Sequence, residues 1–232
     1  RLSGLAPTRA APTMDVLWLR LPRLAGDPPE AATRFRFGRG CLIALMEEGE
    51  HWQIGYIIPA GAYRRVRADG LQALRRVLSE AVPEFAERIG ALQEWGDCSL
   101  LTVESARLRR WYRPGLLLIG DAAHPTSPIG GIGINLAIQD AVVAARTLAD
   151  RLHAGRVTVT DLALVQRRRA VAILLVQTCQ DLVQRWIVVA ALRSPAPYRL
   201  PAPLRLLLRL PGARDLPTRL IAFGAGPTRL GS

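Results

Sequence analysis

Lysine is absent from this chain. All 31 basic residues are arginine, and Asn135 is the single asparagine. Against 19 acidic residues the formal charge is +12. So complete a skew reflects coding bias as much as function, and the charge alone selects no partner. A basic surface attracts phosphorylated cofactors, acidic substrates, anionic lipid or nucleic acid. Zinc-finger spacing, a Gly/aromatic sheet motif and a basic stripe with interleaved aromatics are all missing, which argues against nucleic acid. Cysteine is scarce: Cys41, Cys98 and Cys179 stand far apart. They form neither a metal-spaced cluster nor an even disulfide framework, and each reads as a small buried apolar residue in a reducing compartment. His51, His124 and His153 are as widely separated, which disfavours a His-based metal site. No signal peptide and no run of about 18 uninterrupted apolar residues is present. The expected location is therefore cytoplasmic, with no transmembrane segment.

What is present is globular. Half of the 232 residues are apolar and 22% are charged, enough for one or two domains with a sizeable core. Met14 to Leu21 reads as a strand, Thr33 to Phe37 as a half-exposed strand, and Cys41 to Glu47 with Glu50 to Ile58 as a hairpin. Together they predict a small antiparallel meander. Asp69 to Glu80 predicts a helix with Leu71, Leu74, Val77 and Leu78 on its apolar side and Asp69 as its cap. Pro83 opens a short second helix. Ser99 to Arg109 is extended, and 111–115 is a turn. Leu116 to Ile119 is short and wholly apolar, the pattern of a central strand covered on both faces. Two long helices follow. One runs from about Ile134 to His153, with Ile134, Ile138, Val142, Ala145, Leu148 and Leu152 as its buried side. The other runs from about Thr160 to Leu192, interrupted by Gln177, Gln180, Asp181 and Arg185. Leu204 to Leu210 suggests one more short helix.

The chemistry concentrates in Gly120 to Ala141, GDAAHPTSPIGGIGINLAIQDA. An acid, Asp121, sits at the carboxyl edge of an apolar strand, where open α/β sheets bind ligands. Ala122 and Ala123 keep the backbone close to whatever passes over it. Gly130, Gly131 and Gly133 lead into a helix, and the free N–H groups at a helix start favour negative charge. A carboxylate accepts hydrogen bonds from sugar hydroxyls, whereas the helix start reads an anion or an electron-rich ring edge. A dinucleotide-like cofactor has both features. The pattern is neither GxGxxG, since the acid precedes the glycines, nor a phosphate-loop motif, since no Gly-Lys-Ser/Thr is present.

The ordered set Gly120-Asp121-Ala122-Ala123-His124, Pro128, Gly131-x-Gly133-x-Asn135 and Asp140-Ala141 resembles the second FAD motif of the aromatic-hydroxylase-type (p-hydroxybenzoate hydroxylase-like) flavoprotein monooxygenases. The resemblance implies that Asp121 binds ribityl hydroxyls of FAD and that Gly120, Ala122 and Ala123 line the same pass. It implies Pro128 near the isoalloxazine face, backbone of Gly130, Gly131, Ile132, Gly133 and Ile134 toward the pyrimidine side, and Asn135 at the turn or on the flavin. It implies NAD(P)H as co-substrate and an aromatic or polycyclic substrate hydroxylated with O₂ through a flavin C4a-hydroperoxide. The family's first motif, GxGxxG, and its central Asp-Gly motif have no counterpart among these residues. The resemblance is therefore to the carboxyl-terminal portion of such an enzyme, whose partner is a missing amino-terminal half or another copy.

The expected class is α/β, or α+β as a fragment: an antiparallel substrate-domain sheet, then the last strand and closing helices of a Rossmann-like FAD domain. The expected segments are 1–110 (partial substrate domain), 111–194 (FAD-domain portion) and 195–232 (Pro/Leu/Arg-rich tail). Trp52, Tyr56, Tyr63 and Arg64 in the meander are candidates for substrate contact, against core packing as the plainer reading. His124 reads as a structural hydrogen-bonding residue, Asp140 as a helix-surface or domain-contact acid, and Arg167 to Arg169 as surface or an interdomain contact. Two alternatives stay open: another FAD-dependent oxidoreductase of the same superfamily, or a non-catalytic remnant that needs a partner segment.

Overall fold

The computed structural model describes residues 3–9, 11–27, 33–128, 131–196, 198–199, 201–202 and 206. In chain order the strands are β1 (Pro7–Arg9), β2 (Met14–Pro22), β3 (Arg34–Phe37), β4 (Leu42–Glu48), β5 (His51–Pro59), β6 (Cys98–Thr102), β7 (Ala106–Leu108), β8 (Tyr112–Arg113) and β9 (Leu116–Leu117). The helices are α1 (Tyr63–Ala68), α2 (Leu71–Ala81), α3 (Ala86–Ile89), α4 (Gly133–His153), α5 (Val159–Val183) and α6 (Val189–Arg193). The chain forms two compact units. One comprises Pro12–Val103 with Val183–Leu200; the other comprises Arg1–Ala11, Glu104–Leu182 and Pro201–Ser232.

The first unit is the expected antiparallel sheet, five-stranded in the order β3-β4-β5-β2-β6; only β3-β4-β5 run as a meander, and β2 lies between β5 and β6 rather than beside β3. Alternation sends Leu17, Leu19, Leu21, Ile43, Leu45, Trp52, Ile54, Tyr56 and Ile58 to one face, where Leu74, Leu78, Phe85 and Ile89 cover them. Burying each such side chain contributes about 1.5–3 kcal/mol. On the opposite face Trp18 stands across from Gly55 in the β2–β5 register. A Cβ on Gly55 would lie 2.8 Å from the Trp18 ring. Gly55→Ala is therefore expected to push the indole off the strand and cost about 1 kcal/mol, the low end for overpacking because the ring is partly exposed. A urea titration with Trp fluorescence checks it; an unchanged midpoint would show that the ring yields freely.

Two local expectations need correcting. Asp69 does not cap α2. Its backbone N–H donates to Arg65 O and closes α1, a helix the apolar pattern did not predict because none of its residues is buried. Gly70, at φ +89°, stands at the α2 N-cap instead. The extended stretch 99–109 is two strands, β6 pairing with β2 and β7 with β1.

The second unit carries α4 and α5. Thr158 and Asp161 cap the start of α5 reciprocally, with Thr158 N to Asp161 Oδ2 at 2.9 Å and Asp161 N to Thr158 Oγ1 at 3.3 Å. Leu108, Trp111, Ala123, Ile132, Leu136, Ile173 and Val176 form one core cluster, and Val143, Leu148, Leu162 and Val165 another. Leu116 and Leu117 are half-buried, and among the described residues they pair antiparallel with Arg113 and Tyr112 across the Pro114-Gly115 turn. The buried side of α4 is Leu136, Asp140, Val143 and Leu148, of which only Leu148 belongs to the expected stripe. Ile134, Ile138 and Leu152 are exposed. Cys41 is buried, Cys98 half-buried and Cys179 exposed, so the burial expected of all three holds only for Cys41. Among the described residues no helix is long and apolar enough to cross a membrane, and no cluster of His, Cys, Asp or Glu could hold a metal. Of the expected helix Leu204 to Leu210, all but Leu206 lies outside the described residues.

Candidate functional site

The site begins where β9 ends. Gly120–Ala122 is a single 3₁₀ turn, and Gly120 O accepts the N–H groups of Ala123 and His124, both at 2.9 Å. Gly120 sits at φ +57°, and a Cβ there would lie 2.9 Å from Ala137 Cβ on α4. The turn thus lies directly on α4, which only glycine permits in both respects. The loop that follows is tied down along its length. Leu108 N donates to Ala123 O at 2.8 Å and Ala106 N to Pro125 O at 3.2 Å. From α5, Gln177 Nε2 donates to Ala106 O at 3.1 Å and Gln180 Nε2 to Ser127 O at 3.0 Å.

Beneath the turn lies a buried polar cluster. Asp140 Oδ2 accepts from the Gly120 N–H at 3.0 Å and meets His124 Nε2 at 2.6 Å, while Oδ1 accepts from Arg169 Nε at 2.7 Å. Asp140 is 0% exposed, His124 1% and Arg169 4%. Burial pushes the Asp140 carboxyl upward, but the hydrogen bonds from His124, Arg169 and Gly120 outweigh it and hold the carboxyl below its usual range. Asp140 is therefore not a surface acid, and Arg169 is not a surface base. A polar residue on an apolar helix period looks like an interruption until its partner is known. The signal was the shared spacing: Arg169, Ile173, Val176, Gln177 and Gln180 lie on one face of α5.

Asp121 itself is exposed and hangs beside the first residue of α4. A Cβ on Gly133 would lie 3.7 Å from Asp121 Oδ1 and 3.1 Å from Thr126 Oγ1. The Thr126 hydroxyl is buried and has no hydrogen-bond partner. No side chain caps the start of α4, and the first-turn N–H groups of a helix have no acceptor within it. The missing Cβ of Gly133 therefore leaves a niche bounded by a carboxylate, an unsatisfied hydroxyl and the positive end of a 21-residue helix. Asp121, Ala122, Ala123 and Pro125 also form one wall of a cleft of about 640 Å³, whose other walls include Arg9, Glu104, Leu108 and Arg113.

The other candidates fall out as follows. Pro128 is half-buried and accepts the Gly131 N–H at 3.0 Å, so it shapes the entry to α4. The Ile132 side chain belongs to the core, which leaves only its backbone for a ligand. Ile134 is 74% exposed and Asn135 half-buried. Gly130 lies outside the described residues. Trp52 and Tyr56 are core side chains of the sheet unit. The Trp52 indole donates to Asp27 Oδ2 at 2.8 Å and meets the Phe85 ring edge-on. Burial pushes the Tyr56 phenol up to about 12. Tyr63 packs edge-on against Trp95, and Arg64 is exposed on α1.

The FAD binding domain family matches residues 23–178. The chain is 35% identical over 220 residues to the 6-methylpretetramide 4-monooxygenase of Streptomyces rimosus, covering 94% of this chain and 51% of that protein. It is 31% identical over 143 residues to the kynurenine 3-monooxygenase of Xanthomonas euvesicatoria, covering 55% of this chain and 30% of that one. Among solved structures, PqsL, a probable FAD-dependent monooxygenase from Pseudomonas aeruginosa, superposes with a TM-score of 0.64 at 22% identity, over 83% of this chain and 52% of that one. The flavin-dependent brominase Bmp2 gives a TM-score of 0.70 at 15% identity, over 94% and 52%. The chain spans about half the length of the first of these relatives. With the family matched over most of its length and the paired Gly-Asp turn and Gly-rich helix start in place, the chain belongs to the FAD binding domain family of p-hydroxybenzoate hydroxylase-like flavoprotein monooxygenases.

Proposed function

We propose that this chain supplies the ring- and ribityl-binding part of the FAD site in a monooxygenase that hydroxylates an aromatic or polycyclic small molecule, with NAD(P)H as reductant and O₂ as oxidant. The observation that carries this reading is Asp121, exposed beside the uncapped start of α4 with only a glycine between them. The residues fit the cofactor: an acceptor for sugar hydroxyls, a hydroxyl at Thr126 that lacks a partner, and a helix terminus for an electron-rich ring edge. FAD, when bound, supplies the hydride and oxygen-transfer chemistry. The chain's own residues bind and orient it. Asp121 accepts from ribityl hydroxyls, and Pro128 and the Gly131 turn direct backbone toward the ring. The α4 terminus stabilises negative charge on the reduced ring. The name of the Streptomyces relative, a 4-monooxygenase of 6-methylpretetramide, supports a polycyclic substrate.

FMN carries the ring, the ribityl chain and one phosphate, so it probes this part of the site directly. A titration followed by amide NMR is expected to shift Gly120 to Ala123 and Gly131 to Asn135. Asp121→Ala removes a charged acceptor and is expected to weaken FMN by about 10- to 100-fold. Equal affinity in the variant, or shifts confined to other residues, would sink the assignment.

A further inference from the structure

The Asp140–His124–Arg169 cluster touches no face open to a ligand, yet it is the most completely buried group of polar residues in the second unit. Its construction is costly. Three ionisable side chains are removed from water, and His124 Nδ1 and Arg169 Nη2 remain buried with no hydrogen-bond partner. Buried ion pairs are weak evidence for stability, because well-packed apolar residues of the same volume serve as well or better. Stability alone thus gives no reason for the arrangement; geometry does. The Gly120 N–H is held by Asp140 Oδ2, and Gly120 is the residue before Asp121. His124, three residues beyond Asp121, is held by the same oxygen. The two ends of the Gly120–His124 turn are therefore clamped to one atom, and Asp121 is suspended between them. Arg169, reaching in from α5, fixes the other carboxylate oxygen and so the plane of the clamp.

We propose that Asp140 is a positioning residue for the FAD site, and that its hydrogen bonds to the Gly120 backbone and to His124 aim the Asp121 carboxylate at the ligand. This rests on the assignment of Asp121 above. His124 donates through Nε2, since the atom facing it is a carboxylate oxygen that also receives a backbone N–H. The Asp140–Arg169 pair sets one charge directly against another inside the cluster, the arrangement that burial requires. Trp111, tilted against the His124 ring at 5.0 Å between centroids, closes the imidazole's other side.

The test uses the chain with FMN as probe and two substitutions at His124, which disturb the fold less than removal of Asp140. In His124→Gln the side-chain amide can donate from near the position of the imidazole Nε2, so the clamp survives. In His124→Leu it cannot. The His124→Leu variant is expected to move the Gly120 and Asp121 amide resonances and to weaken FMN roughly tenfold. His124→Gln is expected to stay within about threefold of wild type. A purely structural role predicts that both variants lose stability while FMN affinity in the folded fraction stays at the wild-type value, and that result overturns the proposal. Equal weakening by Gln and Leu also overturns it, because the donor would then be irrelevant. Asp121→Ala is the separate control. If it leaves FMN binding intact, the ligand assignment of Asp121 fails, whereas the Gly120 resonance still reports on the clamp.

Discussion

Replacing Asp140 with alanine is expected to lower the unfolding free energy of the second unit by about 3–5 kcal/mol, the usual cost of breaking a buried ion pair from one side. The magnitude follows from what is stranded. Arg169, 4% exposed, keeps its charge and loses the carboxylate that neutralises it. The Gly120 N–H and His124 Nε2 lose their acceptor at the same time. Urea titration followed by α4 and α5 amide resonances measures the loss; a change below about 1 kcal/mol would mean that water enters and replaces the carboxylate. Asp140 also gives stability a pH dependence whose sign is fixed. Its carboxyl is held below the ordinary value, by hydrogen bonds that overcome its burial. The folded state therefore binds the proton less readily than the unfolded chain. The stabilisation is complete above the unfolded carboxylate range, near pH 4, and is lost as pH falls toward the lower folded value. Asp140→Asn is expected to flatten this part of the acid limb, and an unchanged limb would assign the dependence elsewhere.

Much of the sheet unit was legible in the sequence because one physical signal sufficed there. Strands β2, β4 and β5 are apolar runs bounded by turns, which marks them as strands, and one face is covered by α2 and α3; Val16, Leu42, Ala44 and Ile57 on the other face are buried as well, which alternation alone does not show. The start of α4 was legible to within one residue from its glycines. The buried face of α4 was not. Periodicity ranks residues by apolarity, so it chose Ile134, Ile138 and Leu152, whereas a charged residue, Asp140, took the central buried position. Its partners lie 16, 20 and 29 residues away, and no local pattern encodes such a pairing. The same blindness made Gln177 and Gln180 look like interruptions of α5, when Gln177 anchors the Ala106 carbonyl of β7 and Gln180 the Ser127 carbonyl of the loop. Leu116 to Ile119 shows the converse limit. A short apolar run specifies burial but not its neighbours, and here the neighbour is the antiparallel Tyr112–Arg113 strand. Asp121 stood out as a candidate ligand residue from its place after the strand, and its exposure beside α4 is what the proposed function uses. That it is held by a second aspartate was legible only in three dimensions.

Gly120→Ala is expected to be the most damaging single-methyl addition at the site, costing about 2–5 kcal/mol from two separate sources. One is backbone: φ is +57° at Gly120, and an L-residue there costs about 1–2 kcal/mol relative to glycine. The other is packing. The new methyl would lie 2.9 Å from Ala137 Cβ, and neither atom can retreat without moving its backbone, since one is on a helix and the other on the clamped turn. Overpacking of this kind adds about 1–3 kcal/mol. The two terms can be separated. Ala137→Gly in the same background removes the clash and leaves the backbone cost, so the double variant is expected to recover the packing share, less the roughly 1 kcal/mol that glycine costs inside a helix. Relief of the strain can take one of two forms. If α4 moves, the Asp121 carboxylate keeps its place and FMN affinity changes little in the folded fraction. If the turn moves, the Gly120 N–H leaves Asp140 and FMN affinity falls together with stability. The clamp holds the turn at both ends, while among the described residues the start of α4 is held by its own backbone and by Ile132 and Leu136 in the core. The helix start should therefore yield first, and the Gly133 and Asn135 amide resonances should shift more than that of Asp121. The opposite order would show that the cluster beneath the turn is weaker than the packing of α4.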